Sequence, residues 1–296
     1  MIKQLEQIVG KQNIKTNYPL NRSCSYQIGG PAKYLLTPQD YNSLFNIISF
    51  AKNNCIKLKI IGNASNILFS DNGFDGIVVT TKKLNTFSKI DGSTYLVGAG
   101  VFLSKVVQES LIDGLRGLEF SVGIPATVGG AVVMNAGAFG SDMSQVVQGA
   151  CIYEDGQIKY LTNTELDFSY RSSYFKTHND AVVLFVELKL TKAPKIEIQR
   201  KIEEFIQKRK TSQPPERSAG SVFKKHGEIP AGKLIDQAGL KGTVKGGAKI
   251  SDIHANFIVN HNGTATAKDV LWLIQKARQT VYEKFGKWLE LEIEII

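Results

Sequence analysis

The sequence predicts an α+β protein, and three observations lead there. Runs with helical spacing and runs with two-residue alternation are intermixed along the whole chain. Turn residues punctuate the connections between them. A content of 43% hydrophobic and 21% charged residues is enough to bury a full core. At ~100–200 residues per domain, 296 residues suggest two or three domains.

Pro38-Gln39-Asp40 opens a helix whose Leu44, Ile47, Ile48 and Ala51 share one face. A short strand over Lys57–Ile61 runs into the loop Gly62-Asn63-Ala64-Ser65-Asn66. Gly76–Thr80 and Thr94–Gly98 read as strands. Val101–Asp113 reads as a helix with Leu103, Val106, Val107 and Leu111 on one side and Gly114 as its stop. Asp155-Gly156 marks a tight turn between strands Cys151–Tyr153 and Gln157–Leu161. Ala181–Leu190 is a strand, continuous in its apolar residues at first and then alternating. Pro194 and a change of composition mark a boundary at Thr191–Lys195. Ile196–Lys210 is a helix that ends before Pro214-Pro215. Lys268–Phe285 is the last helix, with Thr266 and Asp269 spaced for a capping box. Trp288–Ile296 alternates Leu289, Leu291, Ile293 and Ile295 with Glu290, Glu292 and Glu294, which predicts a terminal strand.

Charge and cysteine content narrow the function classes. The net charge of +9 favours polyanionic ligands, but the basic residues are spread out. Their one dense cluster, Lys208-Arg209-Lys210, ends a helix, so nucleic acid is not an expected partner. Three cysteines, far apart and odd in number, suggest neither a disulfide framework nor metal-ligand spacing. No metal is expected. The N-terminus has no apolar core of signal-peptide length, which with the cysteines predicts a cytoplasmic location. Two short motifs mislead. Gly98-Ala99-Gly100 lacks the third glycine of a dinucleotide fingerprint, having Leu103 there, and Gly227–Lys233 is followed by Leu234 where a P-loop needs Ser or Thr.

From Phe120 to Gly140 no residue is charged or His. The run has the length of a membrane span, but Pro125, Gly129-Gly130 and Asn135 make it a poor lipid-facing helix. Small residues let a backbone approach a ligand closely. A second such loop spans 62–66 and a third is Gly29-Gly30-Pro31-Ala32, so the three together suggest a cradle for one large cofactor. Composition by itself allows tight internal packing equally.

The motifs IGGPA (28–32), IGNASNILFSDNGFDGIVV (61–79), GLRGLEFSVGIPATVGGAVVMNAGAFG (114–140), SYRSSYFK (169–176), SAGSVFKK (218–225), AGKLIDQAGLKG (231–242) and HANFIVN (254–260), before the terminal LELEIEII, occur in an order that resembles the UDP-N-acetylenolpyruvoylglucosamine reductases, also called UDP-N-acetylmuramate dehydrogenases. The resemblance covers roughly residues 17–296. It implies a two-lobed FAD-binding domain of the vanillyl-alcohol-oxidase type, over 1–92 and 93–193, and a smaller α+β substrate-binding domain over 194–296. It implies the shorter subclass without a tyrosine-bearing closing loop. The implied cofactors are FAD and, as hydride donor, NADPH; the implied substrate is a UDP-linked enolpyruvyl amino sugar used in peptidoglycan synthesis. The first histidine is His178, beyond all three loops, so the FAD is expected to be non-covalent. A monomer is expected.

The resemblance assigns FAD contacts to Gly29, Gly30, Ile61, Gly62, Asn63, Ala64, Ser65, Asn66 and Ile67, and to Gly123, Ile124, Pro125, Ala126, Thr127, Gly129, Gly130, Asn135, Ala136, Gly137 and Ala138. The diphosphate is expected against backbone amides of the uncharged stretch. The family commonly has Gly where Asn63, Ala64 and Ala126 stand. By residue type alone, Arg171 reads first as a surface arginine in a turn, Ser221 as a loop serine and Glu292 as one of three glutamates on a solvated strand face. The resemblance makes Arg171 the catalytic arginine, Ser221 the proton donor and Glu292 the catalytic glutamate. Tyr170, Arg209, Lys210, Arg217 and Lys224 are candidates for the substrate's anionic groups, the four cations on charge type. A flavin oxidase or dehydrogenase of the same fold with another substrate is the alternative.

Overall fold

The computed structural model describes all 296 residues. By packing, the chain divides into two units, one of residues 1–16, 34–63 and 76–208, the other of residues 17–33, 64–75 and 209–296.

The first unit holds helices α1 (Ile2–Val9), α2 (Tyr41–Asn53), α3 (Leu103–Asp113) and α4 (Val128–Val133), and most of α5 (Lys195–Ser212). Its main sheet is antiparallel and five-stranded, in the order Gln157–Thr162, Val147–Glu154, Val182–Lys189, Thr94–Gly98, Phe87–Lys89. Asp155 and Gly156 turn the first two strands with φ of 51° and 81°, the pair of left-handed residues a two-residue hairpin needs. The pairing of Val147–Glu154 with Val182–Lys189 shifts register between Cys151 and Ile152. The shift changes which face the strand residues serve. Val182 and Leu184 join the cluster around Leu44 and Ile47 of α2, whereas Val186 and Leu188 join the cluster around Val106 of α3 and Val132 of α4. Asp40 caps α2 by accepting the Ser43 amide at 2.7 Å, and Gly114 closes α3 with φ 68°. Leu58–Ile61 runs parallel to Ile77–Thr80.

The uncharged run forms no long helix. It contains a 3-10 turn over Glu119–Ser121 and the six-residue α4. No helix of the protein is long and apolar enough to cross a membrane.

The second unit holds α6 (Ala231–Gln237), α7 (Ala267–Phe285) and a three-stranded antiparallel sheet of Val244–Lys245, Ala248–Ile250 and Ile258–Asn260. The α7 capping box is complete in both directions, and Asp71 adds to it by accepting the Ala267 and Lys268 amides at 2.7 and 3.0 Å. Val270, Leu273, Ile274, Ala277 and Val281 form its buried face. The fully buried Tyr26 donates its hydroxyl to the Ile258 carbonyl at 2.7 Å, and Asn260 donates to the Tyr26 carbonyl at 3.1 Å, so residues 17–33 pack with the C-terminal part of the chain.

The terminal strand differs from expectation. Only Glu294–Ile295 is a strand, and it pairs in parallel with Ile67–Leu68. Leu289 and Ile293 are buried, but Ile295 is 41% exposed, so the apolar alternation does not track burial. Single tertiary contacts dictate the path instead: Lys224 donates its amide to the Glu290 carbonyl, and the Glu292 amide donates to the Val222 carbonyl.

Candidate active site

The start of the 62–66 loop meets the uncharged stretch inside the first unit. Gly62 abuts Thr127 so closely that a Cβ at 62 would collide with the Thr127 hydroxyl oxygen. The Asn63 side chain donates to the Pro125 carbonyl at 2.6 Å and ties the loops together. Asn63 keeps a conformation open to any residue, so glycine is not required there. Thr127 caps α4, its hydroxyl accepting the Gly130 amide at 3.4 Å. The joined loops carry no charged side chain, so no carboxylate in them repels a phosphate. This small, neutral surface fits an FAD.

The expectation for the diphosphate narrows. The amides of Ile124, Ala126, Val128 and Gly129 already donate to the carbonyls of Ser121, Ile124, Val101 and Ala99. These donors are spent within the chain. Several glycines likewise serve packing. A Cβ at Gly129 would lie 2.7 Å from that of Ala99, and one at Gly137 would lie 2.5 Å from that of Asp142.

The third loop closes on its own surroundings in the second unit. A Cβ at Gly29 would stand 2.5 Å from the Phe69 Cβ, and one at Gly30 would meet the Asp71 carbonyl oxygen. Ala64 occupies the left-handed region at φ 48° although it is not glycine, which costs about 1–2 kcal/mol. Ala126 is not left-handed, and glycine has no advantage there.

Arg171 stands at the tip of a tight turn. Ser169 and Ser172 exchange both backbone hydrogen bonds at 3.1 Å, with Tyr170 and Arg171 between them. Arg171 takes φ 55°, a position that favours Gly or Asn. Its guanidinium donates to the Gly137 carbonyl at 2.7 Å, with a longer 3.5 Å contact to the Asn135 carbonyl, and lies 5.2 Å from the centre of the exposed Tyr170 ring. The uncharged stretch therefore holds the arginine by neutral carbonyls, which orient the fork and leave its charge in place.

Ser221 and Glu292 belong to the second unit, and the structure brings their backbones together. Glu292 donates its amide to the carbonyl of Val222, the residue after Ser221, at 2.8 Å. The Glu292 carbonyl accepts from the Asn66 side chain at 2.9 Å. Both Ser221 and Glu292 are half-buried. Gly220 precedes the serine at φ 77° with open space where a Cβ would stand, so here the left-handed turn alone requires glycine.

Sequence reasoning gave Asn256 no role. It is 6% exposed. Its side chain accepts the Phe223 amide at 3.0 Å and donates to the Phe223 carbonyl at 2.8 Å, and its own carbonyl accepts the Val222 amide. It thus acts as a strand partner for the residues after Ser221. The signal was present: a lone asparagine inside the apolar run Ala255–Val259 has to be satisfied when buried. The neighbouring His254 accepts the Asn256 amide at its Nδ1 at 3.2 Å, and burial pushes its pKa down.

The candidate cations are scattered. Arg209 is half-buried and contacts Gln213 at 3.4 Å, and burial lowers its pKa; Lys210 is exposed at the end of α5. Arg217 is exposed and pairs by backbone with Asn260, and Lys224 is half-buried.

Residues 32–162 match the family model described as FAD binding domain, and residues 212–296 match that of the UDP-N-acetylenolpyruvoylglucosamine reductase C-terminal domain. The structure of 4-ethylphenol oxidase from Gulosibacter chungangensis superposes with a TM-score of 0.53 at 13% identity, over 65% of this chain and 42% of the oxidase, which shows a shared fold. The chain is therefore a flavoprotein with the FAD-binding fold of the vanillyl-alcohol-oxidase type. The UDP-N-acetylenolpyruvoylglucosamine reductase of Carboxydothermus hydrogenoformans is 43% identical over 282 residues, 95% of this chain and 93% of that one. The structure of the UDP-N-acetylenolpyruvylglucosamine reductase of Thermus caldophilus matches with a TM-score of 0.80 at 38% identity, over 95% of this chain and 97% of that one. The chain belongs to the UDP-N-acetylenolpyruvoylglucosamine reductase family.

Proposed function

We propose that the protein reduces the enolpyruvyl ether of UDP-N-acetylglucosamine enolpyruvate to the lactyl ether of UDP-N-acetylmuramate, for peptidoglycan precursor synthesis in the bacterial cytoplasm. The observation that carries this reading is full-length similarity to reductases, with the Arg171 guanidinium seated on the Gly137 carbonyl and Ser221 and Glu292 paired by backbone to their neighbours. We divide the work between 1–92 and 93–193 as the two lobes that hold FAD and 194–296 as the part that holds substrate. The matches to the FAD model over 32–162 and to the reductase C-terminal model over 212–296 support setting 194–296 apart from the residues before it. The same similarity favours a reductase over an oxidase of this fold. A monomer with non-covalent FAD is part of this reading.

FAD, when bound, would supply the two-electron relay between NADPH and the enolpyruvyl methylene carbon. Residues 61–67, 123–130 and 136–138 are the candidates for holding it, with Gly62, Asn63 and Thr127 shaping the surface. The substrate then bears negative charge on the carbon next to the carboxylate, delocalised as an enolate. Arg171 stabilises that charge with a planar fork already oriented by the Gly137 carbonyl. Ser221 gives its hydroxyl proton to the carbon that bears the ether oxygen. Glu292, joined to the Ser221 segment through the Val222 carbonyl, assists that proton delivery. Tyr170, Arg209, Lys210, Arg217 and Lys224 remain candidates for the carboxylate and diphosphate. The purified protein, given NADPH and the enolpyruvyl nucleotide, should yield a product heavier by two hydrogens, with one NADPH oxidised per product. NADPH consumption without that product would overturn the reading.

A further inference from the structure

We propose that Asn135 is a positioning residue for Arg171. The inference rests on the role given to Arg171 above. Asn135 lies just past the end of α4 in the left-handed region, at φ 40°. Its amide donates to the Val132 carbonyl at 3.0 Å, and the Ala136 amide donates to the Ala131 carbonyl at 2.8 Å, the two bonds of a Schellman stop. Glycine fills this position at least conformational cost, and the stretch uses glycine freely elsewhere. Asparagine also tolerates this conformation, and here its side chain makes bonds that glycine could not.

That side chain is 98% removed from solvent, being only 2% exposed as a residue, and both of its polar atoms bond to the protein. Oδ1 accepts the Ser144 amide at 3.0 Å. Nδ2 donates to the Ser169 carbonyl at 3.0 Å, the same carbonyl that closes the turn bearing Arg171. The guanidinium in turn donates to the Gly137 carbonyl, two residues beyond Asn135. The Ser173 hydroxyl donates to the Val133 carbonyl at 2.7 Å and pins the far side of the turn. Both the backbone and the charged end of Arg171 are thus referenced to one short segment, 133–137.

The strain at Arg171 explains the need for this. A non-glycine residue at φ 55° persists when its surroundings over-determine it. Without the Asn135 donor, the turn loses the bond that fixes it to the loop where the guanidinium is received. The fork then samples other orientations, and a misplacement of about 1 Å lowers turnover by orders of magnitude in favourable cases. Buried, and bonded within the chain at both polar atoms, Asn135 acts through Arg171.

The test is a double-mutant cycle with Asn135→Gly and Arg171→Ala in the FAD-loaded protein. Glycine keeps the left-handed stop and removes only the side chain. Asn135→Gly should lower turnover of the enolpyruvyl nucleotide about tenfold, ~1.4 kcal/mol. Flavin content and the rate of flavin reduction by NADPH should match the parent. In the Arg171→Ala background the same change should alter turnover less than about twofold, ~0.4 kcal/mol. Asn135→Asp keeps the acceptor toward Ser144 and loses the donor toward Ser169, so it should reproduce the loss, and it serves if the glycine variant does not fold. Calorimetric affinity of the oxidised protein for the substrate should fall with Asn135→Gly only when Arg171 is present. Loss of flavin, or an equal loss of turnover in both backgrounds, overturns the inference while leaving the role of Arg171 intact. Near-normal turnover of Arg171→Ala alone removes that role and this inference with it.

Discussion

The Asn66 side-chain amide donates to the carbonyl oxygen of Glu292 at 2.9 Å, across 226 residues of sequence. The Asn66 carbonyl also accepts the Glu294 amide at 2.9 Å, so one residue holds the terminal segment on both sides of Ile293. Asn66→Ala should lower the free energy of unfolding by ~1 kcal/mol, the typical value of a hydrogen bond in this setting. Asn66→Asp, which has no donor, should do the same. Urea unfolding checks both, and a variant as stable as the parent would show that the contact has no energetic weight.

Arg171→Lys retains charge but loses the planar fork seated against the Gly137 carbonyl. Turnover should fall by more than about tenfold, ~1.4 kcal/mol. Reduction of the flavin by NADPH should be spared, because no enolate forms in that half-reaction. Stopped-flow absorbance separates the two. Equal slowing of both half-reactions would assign Arg171 to holding flavin or fold.

Ser221→Ala removes the proposed proton and almost no volume, and the Gly220 turn before it is unaffected. Turnover should drop by ~10²–10⁴, the usual contribution of a positioned acid. Ser221→Cys should recover part of the loss. In heavy water the parent should place deuterium on the lactyl carbon that bears the ether oxygen. Near-normal turnover of the alanine variant would give the proton to water or Glu292.

Burial depresses the pKa of His254, whose neutral Nδ1 accepts the Asn256 amide. The unfolded histidine protonates as pH falls through about 6.5, while the folded ring resists. The stabilising contribution is therefore fully present above pH ~6.5 and is lost as pH falls from there toward the depressed folded value. The melting temperature should decline over that window, and less steeply in His254→Asn, which keeps an acceptor that does not titrate. Parallel pH profiles would contradict this.

Local signals made much of the fold legible. Thr266 and Asp269 cap α7 from within four residues, and Asp155-Gly156 contains the whole geometry of its hairpin. The terminal segment misled because Leu289, Leu291, Ile293 and Ile295 alternate as a strand would, while its path follows bonds to Val222, Lys224 and Asn66. The Asp71 cap on α7 bridges 196 residues and leaves no pattern near the helix. Among the candidate site residues, the motifs singled out Arg171, Ser221 and Glu292, but which glycines face a ligand was not legible. Gly30 and Gly129 are required by neighbouring atoms that only the folded chain supplies.

The central claim is that a flavin carries reducing equivalents from NADPH to the enolpyruvyl nucleotide. Anaerobic titration of the yellow protein tests it most directly. One equivalent of NADPH should bleach the flavin absorbance, and one equivalent of the enolpyruvyl nucleotide, added without oxygen, should restore it. Absorbance that stays bleached after the nucleotide is added, and returns only on admitting air, would contradict the account and indicate an oxidase.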